Sequence, residues 1–195
     1  PDVAPFSGGG QGGRIQEFTW DGELVWDYRF ASEQHLLHHD VTVLPNGNIL
    51  AIAWEAKSRE ETQQIGMRPE MTPEDGVWPD MILELEPQPP DSARIVWEWH
   101  AWDHMLQYRD PALVDYGDPA AHPELIDING GRPTPDAVTE DADELARYRE
   151  LGYVPEDSDH DPSADLMHMN AIVYNEALDQ IAISNHEYHE IWIID

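Results

Sequence analysis

His168 and Asn170 stand two residues apart at the head of a predicted strand, in the run Asp165-Leu-Met-His-Met-Asn-Ala-Ile-Val-Tyr174. Residues i and i+2 of a strand share a face, so this spacing aims an imidazole and a carboxamide at one place. The pair suits an anionic cluster of oxygens: both groups donate N–H bonds, and the imidazole also carries a proton. The other histidines are grouped as well. His35, His38 and His39 precede Asp40 ahead of a strand, His100 and His104 bracket Trp102 and Asp103, and His186 and His189 lie near the end of the chain. Adjacent strand residues point to opposite faces, so the alternation predicts that only one of His38 and His39 reaches a common site. The alternative for that triplet is a packed histidine with Asp40 bonding a turn amide. His100 and His104, four apart, would share a face on a helical turn and could ligate a borderline ion such as zinc with Asp103 and Asp40. Packing among the tryptophans accounts for them equally well, and no His-Glu-x-x-His motif is present. The absence of a Gly-x-Ser-x-Gly elbow leaves serine acyl chemistry without support. The acid run at 156–161 reads as solvated loop.

The elements that must position these groups are strands. Arg14–Trp20 and Glu23–Phe30 alternate about Asp21-Gly22, a hairpin signature. Val41–Leu44 and Ile49–Trp54 form a second hairpin across Pro45-Asn-Gly-Asn48, Met81–Leu85 and Arg94–Trp99 a third, and 171–174, 180–184 and 190–194 a final group. Long polar stretches, 55–79 and 101–165, separate the later groups. Within the second, 135–152 carries a helical stripe with early acids, late arginines and a closing Gly152, which predicts a surface helix near 136–151. The glycine-rich stretch Gly8–Gly13 reads as a leader or tight turn, because no helix pattern or lysine follows it. Repeated antiparallel groups, each with a tryptophan near a strand end, predict an all-β chain built as a partial β-propeller, about three blades, with 101–164 as a loop insertion carrying the helix; a β-sandwich is the alternative. Residues 1–195 then form one partial propeller domain.

Forty Asp and Glu against ten Lys and Arg give a formal charge of −30. That field repels nucleic acid and anionic membrane surfaces, and no apolar run is long enough to span a bilayer. Lys57 is the sole lysine, and an acidic surface of this kind keeps a chain soluble in high salt. With no cysteine, disulfides, thiolate metal sites and a cysteine nucleophile are excluded. The sequence opens on Pro1, which is expected of a piece of a longer protein.

The runs His38-His-Asp-Val-Thr-Val-Leu-Pro-Asn-Gly-Asn48, Val96-Trp-Glu-Trp-His-Ala-Trp-Asp-His104 and His122-Pro-Glu-Leu-Ile-Asp-Ile-Asn129, with the segment from Asp165 to Asp195, together resemble the bacterial arylsulfotransferase family. The likeness runs from about Gly12 to the end and is greatest to the less characterised branch of the family. It implies a six-bladed propeller, a periplasmic or extracellular setting, and no cofactor. It further implies transfer of a sulfuryl group from a phenolic sulfate to a phenol acceptor through a sulfated histidine. Carried over by motif, His168 and Asn170 would hold sulfuryl oxygens and His38 or His39 would join them, with His186, Asn185 and His104 as candidate substrate contacts. Two departures stand out. Where the family pattern has Ser followed by Arg, this chain has Ser184-Asn185-His186, which leaves His186 as the candidate substitute for a sulfate clamp. The family's nucleophilic histidine belongs to a later blade, so it is expected beyond Asp195. A ligand-binding propeller without catalysis is the runner-up reading, and a metal-dependent hydrolase the third.

Overall fold

The computed structural model of the chain describes residues 5–6, 9–130, 147 and 164–195. Strands β1 (Arg14–Phe18) and β2 (Leu24–Arg29) pair antiparallel about the Asp21-Gly22 turn, where Gly22 has φ 86°. Only glycine takes that left-handed value without steric cost. Strands β3 (His35–Val43), β4 (Ile49–Glu55), β5 (Asp80–Gln88) and β6 (Ser92–His100) follow as one four-stranded antiparallel sheet in chain order. The second and third hairpins expected from sequence are thus one sheet. The 55–79 stretch leaves β4 and returns to pair β5 beside it. Every residue of β4 is buried, so both of its edges need a partner strand for their backbone groups. The excursion contains α1 (Arg59–Gln64), started by a reciprocal cap in which Ser58 and Glu61 satisfy each other's free amides. It closes on paired backbone bonds between Lys57 and Val77.

Further along, β7 (Met105–Leu106) and β8 (Ile126–Asp127) make a short parallel pair. Strands β9 (Met169–Asn175), β10 (Gln180–Asn185) and β11 (Glu190–Ile194) form a three-stranded antiparallel sheet, as the alternation predicted. The helix expected near 136–151 lies outside the described residues except for Arg147, which is helical. The architecture is all-β, made of several small, mostly antiparallel sheets. Among the described residues no helix is long and apolar enough to cross a membrane.

Period-2 alternation sends the sheet's side chains into two cores. Ile49, Ala51, Ala53, Leu83 and Leu85 pack under Trp26 of β2, whose indole N–H donates to Ser92 O at 2.7 Å. From the other face, Leu50, Ile52 and Ile82 meet Met169, Ile172 and Ile183 of the three-stranded sheet. Each such side chain contributes about 1.5–3 kcal/mol of burial energy. The two sheets are also tied by the Ile172 amide, which donates to Asp40 Oδ2 at 3.0 Å. This junction, where β3 faces β9, carries the histidines.

Candidate active site

Pairing of β3 with β4 sets Leu37 opposite Ala53 and Val41 opposite Ala51, so His38, His39 and Asp40 stand against Ile52 alone. Extra residues on one strand make a bulge, and His39 absorbs it with a left-handed φ of 51°. The turn cancels strand alternation. Both imidazoles swing to one place, with Nδ1 of His38 3.0 Å from Nδ1 of His39 and the rings at 86°. The expected reason for only one of the two reaching a common site, opposite strand faces, does not apply: the rings lie together, with His39 exposed and His38 directly beneath it. The His38 side chain is fully buried, stacked on the Trp54 indole at 4.0 Å and 10°. Its Nε2 lies 2.7 Å from Oδ1 of Asp80, which is also fully buried. The contact is close without being a hydrogen bond, and neither atom has a hydrogen-bond partner. Asp80 Oδ2 accepts from the Met169 amide at 3.3 Å.

His168 approaches from the other sheet. Its φ of 54° places it outside β9, and its Nδ1 sits 2.5 Å from Asp165 Oδ2 while its amide donates to Asp165 Oδ1 at 3.1 Å. Asp165 is held in turn by the Trp54 indole N–H, 3.2 Å from Oδ1, and by backbone bonds that lay residues 164–166 along Trp78. The rings of His39 and His168 meet edge to face at 4.6 Å, and His186 follows at 5.5 Å from His168. Three imidazoles therefore line one surface, above two buried carboxyl groups and an indole.

The alternation that predicted a common face for His168 and Asn170 does not operate. β9 and β10 pair Met169 with Asn185 and Ala171 with Ser184, leaving Asn170 as the extra residue of a second bulge. Asn170 Oδ1 accepts from Ser184 Oγ at 2.5 Å, so the carboxamide is exposed and joined to β10 rather than to the imidazoles. Asn185 is buried, and its Oδ1 accepts from the Tyr188 amide at 3.0 Å, shaping the turn before β11. His186 is exposed, with Nδ1 3.1 Å from Glu187 Oε1. His104 stacks on Trp99 at 4.9 Å in a different place, a cleft of about 750 Å³ shared with Tyr188 and Trp192. His100 turns to Glu55, 3.2 Å from its Nδ1, so it does not pair with His104 around an ion. Among the described residues no group of three or more His, Asp or Glu side chains is placed to hold a metal.

Burial and charge set the proton states. Desolvation pushes His38 down to about 3, with the nearby Asp165 carboxylate opposing and His168 assisting the fall. His39 is also lowered, first by burial and then by His38 and His168. His168 moves the other way, because the bond to Asp165 outweighs its partial burial. Asp80 is raised well above the carboxylate range by burial, reinforced by Asp165. These shifts favour positive charge on His168 and an uncharged state of the buried His38–Asp80 pair.

Sequence reasoning passed over four participants. Asp80 is an acid inside an apolar strand, and Asp165 precedes His168 by three residues, signals that could have marked both. Trp54 reads only as a strand-end anchor. The glycine stretch is not a free leader over the part described: the His39 amide donates to Gly10 O at 2.8 Å, and Gly10, with φ 72°, lies so close to the His39 ring that a Cβ there would collide with it. Gly9 flanks His168. The segment forms one wall of the site.

With this geometry in place, comparison with known families is decisive on ancestry. Residues 8–195 match the family model described as Arylsulfotransferase (ASST). The chain belongs to the arylsulfotransferase family. The match spans the bulged His38-His39 segment, both buried acids and His168 of this arylsulfotransferase-family chain. Searches of curated proteins and of solved structures returned no match.

Proposed function

We propose that the chain forms part of an arylsulfotransferase active site, which moves a sulfuryl group from a phenolic sulfate ester to a phenol through a histidine intermediate. The observation that carries the reading is the edge-on meeting of His39 and His168 at 4.6 Å over the Asp165 carboxylate, in a chain of this family. A sulfate monoester carries its charge on peripheral oxygens, and transfer shifts that charge to the leaving phenolate. An imidazolium at His168 holds the oxygens, with His186 5.5 Å further on as the candidate substitute for the family's arginine. Asn170, whose Oδ1 is taken by Ser184, has its amide N–H groups left to donate from the β9 side. In a chain of formal charge −30, this local cation is what lets an anion approach. The four-stranded and three-stranded sheets serve as propeller blades, with 101–164 as an insertion, and the covalent histidine lies after Asp195. Phenolic sulfates and phenols are the partners, in a periplasmic or extracellular setting.

Turnover of a chromogenic aryl sulfate by the full-length protein in the presence of a phenol acceptor tests the proposal, with His168→Ala expected to remove most of it. A variant as active as the wild type refutes the site. Asn185 in place of the clamp arginine favours a second reading, a binding propeller without catalysis; it predicts aryl sulfate binding with no turnover at any pH.

A further inference from the structure

Asp80, His38 and His39 form a single file from the core to the surface, with contacts of 2.7 Å and 3.0 Å. The inner contact joins two fully buried groups 2.7 Å apart whose facing atoms have no hydrogen-bond partner as they stand, so a small turn of the carboxyl or the ring lets each satisfy the other. At the outer contact two Nδ1 atoms face each other, so one is protonated and the other is not. The state of the inner pair therefore dictates which nitrogen of His39 carries its proton. We infer that the buried Asp80 carboxyl is the proton reservoir of the transfer reaction, delivering a proton to the leaving phenolate through His38 and His39 and recovering it from the acceptor phenol. The inference rests on the sulfuryl-transfer reading and adds two positioning residues, Asp80 and His38, beneath the substrate-facing His39.

In the resting state of the relay Asp80, turned to align its O–H with His38 Nε2, donates to it, His38 Nδ1–H donates to His39 Nδ1, and His39 presents Nε2–H outward. Burial favours this uncharged arrangement over a buried ion pair, in line with a raised Asp80 and a lowered His38. When the S–O bond breaks with its electron pair on oxygen, a new S–N bond forms to the imidazole nucleophile. The phenolate then takes the His39 Nε2 proton. His39 Nδ1 takes the His38 Nδ1 proton, and His38 Nε2 takes the Asp80 proton. One proton has left, and the new Asp80 carboxylate is held by His38 Nε2–H and the Met169 amide. The acceptor phenol reverses every shift as it attacks the sulfuryl group. The charged groups facing the file are Asp165 and His168 along its length and Asp40 beside His39. A fixed imidazolium at His168 offsets the carboxylate that appears.

Histidine ¹⁵N NMR of the 195-residue chain near pH 7, with His39→Gln and His168→Gln for assignment, reads the file directly. The expected result is neutral His38 protonated at Nδ1 and neutral His39 protonated at Nε2; His38 protonated at Nε2, or at both nitrogens, overturns the relay. A kinetic arm uses aryl sulfates whose phenols differ in basicity. Asp80→Asn keeps a donor toward His38 but holds no releasable proton, so its rate should fall about 100-fold or more for basic leaving phenols and little for nitrophenols. His39→Gln should show the same selectivity, and an equal loss across the series in both variants overturns the relay. If the full-length wild type, with the residues after Asp195, transfers no sulfuryl group, the functional reading fails, and the NMR result still decides the proton file.

Discussion

Removing the Asp165 carboxylate should unlock the site and cost stability, in amounts that follow from its partners. Three donors converge on it: the Trp54 indole at 3.2 Å, the His168 amide at 3.1 Å and the His168 ring at 2.5 Å. Trp54 is completely buried, so in Asp165→Ala its N–H is left without an acceptor, at about 1–3 kcal/mol. The His168 amide adds a similar but smaller term, and the ring pair is discounted because His168 is partly open to solvent. The total is about 2–5 kcal/mol, which in a chain of this size lowers Tm by roughly 4–20 °C. Asp165→Asn keeps a carbonyl for the indole and should cost about half as much. The pH dependence has a definite sign. His168 is raised in the folded chain, so its stabilisation is complete below the value of a free histidine and is lost as pH rises through its folded value. The gap between wild type and Asp165→Asn should therefore be wide at pH 5 and narrow by pH 9. Urea unfolding followed by tryptophan fluorescence at both pH values measures it. A loss under about 1 kcal/mol for Asp165→Ala, or a gap that does not change with pH, refutes the role assigned to this carboxylate.

Binding of an aryl sulfate should weaken as pH rises through the raised His168 value, and His168→Ala should flatten the profile; titration calorimetry across pH 5–9 would show a level wild-type profile if another group holds the anion. Gly10→Ala should cost about 1–2 kcal/mol for its left-handed φ and weaken aryl sulfate binding by pushing His39 aside, so unchanged binding would remove the glycine wall from the site. Asn170→Ala should lower kcat by about 3 kcal/mol of transition-state stabilisation, as for one lost oxyanion donor, whereas Ser184→Ala should cost less; equal kcat for Asn170→Ala and wild type places the sulfuryl oxygens elsewhere. Ile52→Ala, at the junction of the two sheets, should destabilise by about 2–5 kcal/mol without altering the pH dependence of binding, a control for effects that act through packing alone.

What was legible in the sequence was local. Alternation about Asp21-Gly22 and Asn46-Gly47 marked β1 to β4, and the final meander was evident strand by strand. The merger of two hairpins into one sheet was not, because pairing of Ile52 with Ile82 depends on a partner thirty residues away rather than on either segment's pattern. Helix α1 had its signal in Ser58-Arg-Glu-Glu61, a capping box inside a stretch read only as polar insertion. The clustering of His38, His39 and His168 could be anticipated from their positions at strand starts. Their orientations could not: strand logic assigns faces by counting, and a bulge breaks the count at both histidine segments. The acids were hidden for a related reason. Nothing near Asp80 in sequence predicts His38 as its partner, and each was legible only as an isolated polar residue at a strand end.

The two bulges explain why histidine can sit where glycine would be easier. His39 and His168 both take left-handed backbone angles, each at a cost of about 1–2 kcal/mol for a residue with a Cβ. Each is held there by a bond from its own amide, His39 to Gly10 O and His168 to Asp165 Oδ1. Regular strand geometry would point His38 and His39 to opposite faces, separating the buried proton partner from the exposed ring. Left-handed turns instead stack one ring below the other and bring the second sheet's His168 against the first sheet's His39. Strain of this kind persists where the surroundings over-determine it, and here the glycine wall, the Trp54 stack and the buried acids all converge on the same two residues. The backbone distortion is therefore the element that converts two ordinary antiparallel sheets into a surface of contiguous, edge-to-face imidazoles with the proposed proton path behind them.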